Sequence, residues 1–389
     1  MSNHPVLRLK PREGRRARAG APWVFANELV LDAKVKALKP GTLVGLTSDD
    51  KEKKDFGLGY FNPKSLIAVR LFAAYGTIDQ GFFEKRLARA LALRQSLYDR
   101  PYYRLVHAEG DLLPGLTIDR FGDVCTVQIT TAGMEALTEP LLAALDSVVA
   151  PKHVVLRNDT PSRVLEGLES YVKGDVGRIE VEENGVTYFA EPSSGQKTGW
   201  YYDQRDNRAF MARLAKDKRV LDAYCYTGGF ALAAGKAGAA EVTAIDSSAP
   251  ALALAKDAAA ANGIEASFIK ADVFEELEKL GGSGKKFDIV IADPPPFVRS
   301  KKDLEAGARA YRKLARMAAQ VTAKDGFLLI ASCSHNIPME RFAQECAAGL
   351  QRASRKASLI HQSGAGADHP VHPMLSETAY LKALVYAMS

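Results

Sequence analysis

Cysteine is scarce in this sequence, and the thiols that are present lie far apart. The 389 residues include 4 cysteines, and no two of them form a CxxC pair. Disulfide frameworks and structural zinc sites need numerous or closely spaced cysteines, so neither is predicted, and the candidate site is expected to hold no metal. Scattered thiols are typical of a reducing compartment, which predicts a cytoplasmic location.

Long apolar runs are also missing. No stretch is apolar and long enough to span a bilayer, and the basic N-terminus lacks the apolar stretch and cleavage pattern of a signal peptide. No membrane partner is therefore predicted. Hydrophobic residues make up 47% and charged residues 25% of the chain, which is ordinary for a globular protein of this length.

Three segments with different patterns follow one another along the chain. Residues 1–72 alternate short apolar runs with turn clusters, as in a compact β-barrel. Residues 73–190 mix helical and strand patterns and predict a middle α+β domain. Residues 191–389 alternate strands with helices, the pattern of a doubly wound parallel α/β sheet. Its predicted strands are RVLDAY, EVTAID, ASFIKAD, FDIVIAD, GFLLIAS and AYLKALVYAMS.

Positive charge is concentrated in the first segment. Residues 1–72 hold 14 Lys and Arg against 7 Asp and Glu, whereas the remaining residues hold 38 against 39. Six of these basic residues fall within the first eighteen positions: Arg8, Lys10, Arg12, Arg15, Arg16 and Arg18. Such a patch suits a phosphate backbone, although a solvated basic arm without a partner is the alternative. Aromatic residues of the same segment could stack on bases or form the barrel's own core: Trp23, Phe25, Phe56, Tyr60 and Phe61.

Acidic residues close several of the predicted strands. They are Asp222, Asp246, Asp272 and Asp293, and ligands of open α/β sheets bind beyond such strand ends. Gly228 and Gly229 would let the backbone approach a ligand closely, but the GxGxxG fingerprint of a pyrophosphate cradle is absent. Asp246 suits the hydroxyls of a ribose and Asp272 the amino group of adenine, which together predict a nucleoside cofactor. Each acid taken alone could instead be a helix N-cap.

Two segments, Asp293–Phe297 and Ser332–His335, would end neighbouring strands at the same rim of the sheet. Prolines fix the first as a tight turn that can face the edge of a base, with Phe297 stacking on it. A thiolate at Cys333 that adds to carbon 6 of a pyrimidine makes carbon 5 nucleophilic, and Asp293 can stabilise the developing charge at ring nitrogen 3. The pattern predicts methyl transfer to a pyrimidine carbon, with Cys333 and Asp293 as catalytic residues.

Other interpretations remain open at this point. Cys333 could be a small buried hydrophobe, and Cys225, inside the first cofactor turn, is a competing nucleophile. Cys125 and Cys346 are predicted to be core residues. A second hypothesis is methylation of an exocyclic amine or ring nitrogen of a base through Asp293 and its prolines, without a thiol. A third is an RNA-binding protein that keeps the fold but does not catalyse.

Several strings resemble known families. The acid-glycine turn LDAYCYTGGF and the further strand-end acids resemble the class I S-adenosylmethionine-dependent methyltransferases. The segment GQKTGWYYDQRDNR at 195–208, the strings ADPPPF and SCSH, and GDLLPGLTIDRFGD at 110–123 are similar to the bacterial methyltransferase I family, which makes 5-methylcytosine in 23S ribosomal RNA. The resemblance covers essentially the whole chain and implies an RNA-binding PUA domain, a middle α+β domain and a Rossmann-like methyltransferase domain.

This resemblance implies roles for individual residues. Cys333 would be the nucleophile, S-adenosyl-L-methionine the cofactor and 23S ribosomal RNA the partner, while a homodimer is left open. The residues implied to bind the cofactor are Lys197, Thr198, Asp203, Gln204, Arg205, Asp222, Tyr224, Thr227, Gly228, Gly229, Asp246, Ser247, Asp272 and Asp293.

One residue departs from the family pattern, and one pair of residues is interpreted independently of it. Many relatives carry Lys where this chain has Pro296, which puts the target base in doubt more than the reaction. Arg205 and Arg208 lie three residues apart on a predicted helix and could face one partner, with a salt bridge to a nearby acid as the alternative.

Overall fold

The structure is a computed structural model that describes residues 4–50, 53–72, 75–195 and 198–389. The chain divides into two compact units. The first consists of Met1–Ile179, Glu191–Trp200 and Ala367–Thr378, and the second of Glu180–Ala190, Tyr201–Gly366 and Ala379–Ser389.

A five-stranded sheet opens the first unit. Its elements are β1 (Val6–Leu9), α1 (Arg15–Arg18), β2 (Trp23–Phe25), α2 (Ala33–Lys36), β3 (Thr42–Ser48), β4 (Asp55–Phe61) and β5 (Ile67–Leu71). The strand order is β1-β3-β4-β5-β2, with β1 parallel to β3 and the other pairs antiparallel. Alternate residues of β3 such as Val44 and Leu46 point into a core that Phe61 also fills, as the period of a half-buried strand requires.

A second five-stranded sheet completes the first unit. Its elements are α3 (Gln80–Leu97), β6 (Tyr102–His107), β7 (Leu116–Phe121), β8 (Val124–Ile129), α4 (Ala132–Ala136), α5 (Thr138–Val149), β9 (His153–Asn158), α6 (Ser162–Glu166) and β10 (Tyr171–Lys173). The order is β10-β9-β8-β7-β6, and only the β8–β9 pair among these described strands is parallel. Helix α3 begins where the Asp79 side chain accepts a hydrogen bond from the Phe82 amide, and it buries Phe83 and Leu87 against this sheet.

The second unit begins with a hairpin and continues as alternating strands and helices. Asn184 and Gly185 both have positive φ at the turn of the hairpin, the conformation that an Asn-Gly turn favours. The elements are β11 (Ile179–Glu183), β12 (Val186–Ala190), α7 (Arg205–Ala212), β13 (Arg219–Ala223), α8 (Gly229–Lys236), β14 (Glu241–Asp246), α9 (Ala249–Ala261), β15 (Ser267–Lys270), α10 (Val273–Ser283), β16 (Phe287–Ala292), α11 (Leu304–Val321), β17 (Thr322–Ser332), α12 (Met339–Arg352), β18 (Ala357–Ser363) and β19 (Lys382–Met388). Short 3-10 turns lie at Ala26–Glu28, Ala108–Asp111, Tyr202–Gln204, Lys301–Asp303 and Ser376–Thr378.

The large sheet of the second unit has the order β15-β14-β13-β16-β17-β19-β18. The strands from β15 to β17 are parallel, whereas β19 is antiparallel to both β17 and β18. The α/β class and each predicted strand are therefore confirmed, but the sheet is mixed rather than wholly parallel, and β18 was not predicted. The strand order reverses between β13 and β16, the position at which such sheets bind ligands.

Helices cover both faces of this sheet. Val290 of β16 faces a core with Leu314 of α11 and Phe342 of α12. Its neighbour Ile291 faces the opposite core with Phe230 of α8, because successive side chains of a strand alternate between faces. Burial on both faces explains why these strands are continuous apolar runs in the sequence. Because helices cover both faces of the sheet, a ligand-binding site is expected at the ends of its strands.

Candidate active site

The register of the parallel strands brings three predicted acids to one rim of the sheet. Asp222 in β13 is paired with Ala244 of β14 and with Ile291 of β16. Asp246 is the last residue of β14, and Asp293 directly follows β16. The three carboxylates therefore follow one another across neighbouring strands at the point where the strand order reverses.

Asp222 is the most deeply buried of these acids. Its side chain has 0% exposure, and Oδ2 accepts a hydrogen bond of 2.8 Å from the Ala231 amide in the first turn of α8. Burial, with smaller contributions from the charges of Asp293 and Asp246, raises the pKa of Asp222 to about 7. The electrostatic coupling of the three acids shows that they share one neighbourhood.

The turn after β13 is an unusual piece of backbone. Tyr224, Tyr226 and Gly228 all have positive φ, a conformation that is costly for a residue with a side chain. Asp246 stabilises this turn, because Oδ2 accepts a 2.8 Å hydrogen bond from the Tyr226 amide and Oδ1 accepts one of equal length from the Ser248 amide. Gly229 begins α8, and its carbonyl accepts a hydrogen bond from the Tyr188 hydroxyl.

Three further candidate residues of this rim, Asp272, Tyr224 and Ser247, are more open. Asp272 lies two residues beyond β15, is exposed, and caps α10 by accepting a hydrogen bond from the Glu275 amide. Burial raises the pKa of the Tyr224 phenol, and the charges of Asp272 and Asp246 raise it further. Tyr224 is therefore flanked by both acids. Ser247 is exposed, and α9 is capped by the next residue, Ser248, whose Oγ accepts a hydrogen bond from the Ala251 amide.

The KTG…DQR segment is divided between the two units. Lys197 lies outside the described residues. Thr198 belongs to the first unit, where its hydroxyl donates a 2.5 Å hydrogen bond to Asp119. Asp203 in the second unit accepts a 2.5 Å hydrogen bond from the Tyr380 hydroxyl. Gln204 is buried beside it and accepts a hydrogen bond from Asn207.

Arg205 and Arg208 do face one partner, and it is an acid of the hairpin. Arg208 donates two hydrogen bonds of 2.6 and 2.8 Å to Glu183, and Arg205 lies 3.5 Å from the same carboxylate. Although burial disfavours its charge, Glu183 raises the pKa of Arg208. Arg205 and Arg208 therefore form a salt bridge with a nearby acid, which was the alternative interpretation of this pair.

The Asp-Pro-Pro turn is anchored to helix α11. Pro295 and Pro296 are exposed, whereas the Phe297 ring packs against Tyr311 with a centroid distance of 4.8 Å and stacks on Phe274. Stacking of the half-buried Phe297 ring on a base stays a prediction, and the ring already has these two aromatic neighbours in the protein. The Tyr311 hydroxyl lies 3.5 Å from the Phe297 amide and ties the turn to the helix.

Cys333 follows the end of β17 and is half-buried. Its neighbours are fixed by buried hydrogen bonds, in which Ser332 Oγ donates to the Tyr311 hydroxyl at 2.7 Å and Ser334 Oγ lies 2.8 Å from the same hydroxyl. The His335 ring is exposed and stacks on Tyr380. The bend that contains Cys333 is thus hydrogen-bonded to α11 through Tyr311.

Tyr201 connects the thiol to the acids. Burial raises the pKa of the Tyr201 phenol most, and the charges of Asp203, Asp293, Cys333 and Asp246 raise it further. The half-buried Tyr201 phenol is therefore close enough to interact electrostatically with both proposed catalytic groups and with a proposed cofactor acid. These groups all belong to the second unit.

The other three cysteines are buried. Cys125 in β8 and Cys346 in α12 have 0% exposure, which confirms them as core residues, and burial raises the pKa of Cys125 to about 12. Cys225 is also buried, and desolvation together with the charges of Asp222 and Asp246 raises its pKa well above the usual thiol value. A thiol so hard to ionise is a poor competitor for the role of nucleophile.

Three residues of this region were missed by sequence reasoning: Tyr201, Tyr311 and Lys382. Tyr201 lies within the segment GQKTGWYYDQRDNR at 195–208, in which the charged residues drew attention. Tyr311 lies on a helix at ordinary spacing, and Lys382 begins a strand, where a lysine usually indicates an exposed position. Only Tyr201 had a signal in the sequence, namely its place beside Asp203.

The buried groups of this rim fit a polar nucleoside ligand. Within the described ranges, the buried side-chain atoms without a hydrogen-bond partner in the protein include Asp222 Oδ1, Thr227 Oγ1 and Gln204 Nε2. Buried polar atoms are rarely left unsatisfied, so these acceptors and donors suit an incoming ligand. No cluster of three or more His, Cys, Asp or Glu side chains in the described part of the chain is arranged to hold a metal ion.

The basic residues of the first unit are partly paired. Arg8 contacts Asp49, Arg18 contacts Asp50 and Arg16 contacts Glu377. Tyr60 and Phe61 are buried, as the alternative interpretation of the aromatic residues expected. Among the helices that the structure describes, none has both the length and the apolar character needed to cross a membrane.

Comparisons with known proteins agree with this geometry. The family model for S-adenosylmethionine-dependent methyltransferases matches residues 126–387, and that for PUA-like domains matches residues 7–74. The protein named ribosomal RNA large subunit methyltransferase I from Shewanella denitrificans is 37% identical over 97% of this chain and 98% of its own length. The protein of the same name from Tolumonas auensis is 38% identical over 94% of each chain.

Solved structures share the fold. A chain from Streptococcus mutans assigned as an S-adenosylmethionine-dependent methyltransferase superposes with a TM-score of 0.82 at 20% identity, over 98% of this chain and 100% of its own. A further assigned methyltransferase, solved in complex with SAH, has a TM-score of 0.84 at 21% identity over the same shares of the two chains.

Proposed function

This chain belongs to the S-adenosylmethionine-dependent methyltransferase family, and from that premise we propose that it methylates carbon 5 of a cytosine in 23S ribosomal RNA. The names of the relatives support large-subunit ribosomal RNA as the substrate. The PUA-like domain and the basic excess of residues 1–72 support an RNA partner. S-adenosylmethionine is the cofactor and, when bound, supplies an electrophilic methyl group.

The rim of β13 and β14 is the proposed cofactor site. Asp246 would accept the ribose hydroxyls, and Asp272 the amino group of adenine. The atoms of Asp222, Thr227 and Gln204 that lack partners in the described protein would gain them from the ligand. Residues of the turn and of the KTG…DQR segment complete the proposal: Lys197, Thr198, Asp203, Arg205, Tyr224, Gly228, Gly229, Ser247 and Asp293.

The proposed chemistry is supported by the strands that precede Cys333 and Asp293. The parallel strands β16 and β17 pair with each other and end directly before these two residues, and both residues act on Tyr201. The Cys333 thiolate would form a bond to carbon 6 of the cytosine while Asp293 shares a proton with ring nitrogen 3, which stabilises the negative charge that develops there. The electron pair of the 5,6 double bond then makes carbon 5 nucleophilic. The methyl–sulfur bond of the cofactor would break as carbon 5 takes the methyl group, and its electron pair would stay on the thioether product. Carbon 5 would then lose its proton to a base, the bond from Cys333 to carbon 6 would break to return the thiolate, and the 5,6 double bond would form again.

The test compares the wild-type protein with Cys333→Ala and Cys346→Ala on deproteinised 23S ribosomal RNA and labelled cofactor. The wild-type protein and Cys346→Ala should label carbon 5 of a cytosine, located by mass spectrometry of the digested RNA. Cys333→Ala should bind S-adenosylmethionine by calorimetry but transfer no methyl group. Normal turnover by Cys333→Ala would refute the thiol mechanism.

The same mapping separates the second candidate. Asp293 and its prolines alone are typical of enzymes that methylate base nitrogens, and the exposed Pro296 leaves that turn open to a base. A label on an exocyclic or ring nitrogen, retained in Cys333→Ala, would favour that reaction.

A further inference from the structure

Lys382, the first residue of β19, is a buried lysine next to the proposed nucleophile. Its side chain is only 6% exposed, although a buried ammonium group is unfavourable unless it is hydrogen-bonded. Its Nζ donates to the Ser334 carbonyl at 3.1 Å and to the Tyr380 carbonyl at 2.8 Å. Both acceptors are neutral, and no salt bridge found among the described residues includes Lys382.

The contacts of Lys382 enclose the bend that carries Cys333. Lys382 is the cross-strand partner of Ser332 in the β17–β19 pair, and its ammonium group binds the carbonyl of Ser334. The residues immediately before and after the thiol are therefore both fixed to one lysine. A group in this place controls where the thiol points and what charge it meets.

Electrostatics support the same relationship. Burial lowers the pKa of Lys382, and the negative charge of a Cys333 thiolate opposes this shift. The reverse effect follows by reciprocity, since a cation that a thiolate stabilises must also stabilise that thiolate. Thiolates are the reactive form of cysteine, so a nearby ammonium group would raise the reactive fraction at neutral pH.

We propose that Lys382 is a positioning residue that holds the Cys333 bend and stabilises the Cys333 thiolate through its positive charge. The proposal rests on the proposed role of Cys333 as nucleophile. Lys382 keeps its proton throughout, and the proton that leaves the thiol passes to solvent or to another base of the site.

Other titratable groups also face this thiol and must be distinguished from Lys382. Tyr201 and Tyr311 both interact with Cys333, but burial raises the pKa of each phenol, so both are neutral near neutral pH. Asp293 acts on the same Tyr201 and contributes negative charge, which opposes ionisation of the thiol. His335 is exposed and stacks on Tyr380. Lys382 differs from all of them in being a buried cation bound to the bend itself.

The test measures the reactivity of the thiol directly, without RNA. Iodoacetamide alkylates a thiolate by forming a sulfur–carbon bond as iodide leaves, and Cys125, Cys225 and Cys346 are buried. The rate at Cys333 would be followed by peptide mass spectrometry between about pH 6 and pH 10. In Lys382→Met we expect a rate about tenfold lower near neutral pH, a profile displaced to higher pH, and a rate equal to wild type at the alkaline end.

Two further variants separate charge from packing. Lys382→Arg keeps the charge, so its profile should lie closer to wild type than that of Lys382→Met. Lys286→Met is the matched control, because Lys286 also donates to a backbone carbonyl, that of Gln320. Lys286 lies at the opposite end of the sheet, just before β16, so its removal should leave the profile unchanged.

Several outcomes would overturn the proposal. Superimposable pH profiles of the alkylation rate for Lys382→Met and wild type would refute it. Equal displacement of the Lys382→Arg and Lys382→Met profiles to higher pH would refute it as well. A uniform change in rate at every pH would show altered access rather than altered ionisation. If Lys382→Met fails to fold, as judged by circular dichroism, Lys382→Gln replaces it, since it keeps a donor for the Ser334 carbonyl. Failure of the proposed function is a separate result, because a displaced profile would stand even if Cys333→Ala still methylates RNA.

Discussion

The hydroxyl oxygens of Tyr311 and Ser334 lie 2.8 Å apart in a buried hydrogen bond that joins α11 to the bend carrying Cys333. Ser334 Oγ also accepts the Val298 amide at 3.2 Å. The two loops that carry the proposed catalytic groups, one after β16 and one after β17, are therefore connected through one tyrosine and one serine. The geometry of Asp293 relative to Cys333 depends on this connection.

Replacing Tyr311 by Phe should loosen both loops without unfolding the chain. The change removes a hydrogen-bond partner of two buried serine hydroxyls, which costs about 1–3 kcal/mol in the free energy of unfolding. Displacement of the loops should lower the methylation rate about tenfold or more, since a change of ~1.4 kcal/mol in the barrier is tenfold in rate. Urea unfolding and initial rates measure the two effects. Tyr386→Phe, in the same core, is the control and should keep the rate, and a normal rate in Tyr311→Phe would contradict the prediction.

The buried carboxyl of Asp222 should make stability fall as the pH rises. Its pKa is raised from 3.8 to about 7, so the folded state holds a proton that the unfolded state has lost in this window. The stabilising contribution is complete below about pH 4 and is lost as the pH approaches about 7, with a total of roughly 4 kcal/mol at 1.36 kcal/mol per pH unit.

Chemical denaturation of wild type and Asp222→Asn across this range measures the effect. The variant cannot ionise at this position, so its stability relative to wild type should increase steadily from about pH 4 to about pH 7. A constant difference between the two proteins would show that Asp222 is already ionised at low pH in the folded state.

Asp246→Asn should weaken cofactor binding more than it weakens the fold. The carboxylate accepts the Tyr226 and Ser248 amides, and an amide side chain offers one acceptor oxygen instead of two. Loss of a charged acceptor costs about 1.5–3 kcal/mol, which corresponds to roughly a 10- to 100-fold weaker affinity for S-adenosylmethionine by calorimetry. Asp325→Asn, in β17 at an exposed position with positive φ, should bind normally. Equal affinities in all three proteins would exclude Asp246 from the cofactor site.

The ion pair between Glu183 and Arg208 should be essential for stability. Both side chains are almost fully buried, so Glu183→Gln leaves buried positive charge without its counter-ion. Breaking such a pair costs about 3–5 kcal/mol, measured as the free energy of unfolding in urea. The exposed pair of Arg219 and Asp288 is the control, because Asp288→Asn should change stability by less than about 1 kcal/mol. Similar losses in the free energy of unfolding of Glu183→Gln and Asp288→Asn would contradict the prediction that the buried ion pair matters more for stability than the exposed one.

RNA affinity should fall steeply with salt if residues 1–72 contact the RNA backbone. Each phosphate neutralised on a single strand reduces the logarithm of the affinity by about 0.7 for each tenfold rise in salt concentration. Replacing Arg12 and Arg15 by Gln should lower both the affinity and this slope, as measured by filter binding. Lys279→Gln and Lys324→Gln together form a control with the same change in charge within residues 273–332. An affinity that is independent of salt would exclude the N-terminal domain as the RNA clamp.

The strands of the large sheet could be predicted because burial on both faces makes them continuous apolar runs. Strand β18 was missed because it lies at the sheet edge and pairs only with β19 among the described strands. Its residues are half-buried or exposed, and the polar string ASLIHQS carries little periodic signal. The antiparallel direction of β19 likewise depends on tertiary pairing and not on local sequence.

The positions of the candidate residues Asp222, Asp246 and Cys333 near strand ends were predictable, because the strands that carry them are clear in the sequence. Contacts between side chains that are distant in sequence could not be predicted. Phe297 has the residue type expected of a base-stacking group, but its packing against Tyr311 could not be predicted from the sequence. Lys382 has the residue type of a surface strand position, and only the β17–β19 register brings it to the thiol bend.

The strand order at the edge of this sheet also constrains how the chain assembles. Because β19 lies between β17 and β18, β18 cannot dock on the sheet before β19 has arrived. Ser332 and its partner Lys382 are 50 residues apart in sequence, so joining them requires closure of a long loop late in folding. A partly folded molecule could thus complete the strands proposed to hold the methyl donor before β19 is in place. Its Cys333 thiol would then lack the Lys382 ammonium group and would have low reactivity until β19 pairs with β17.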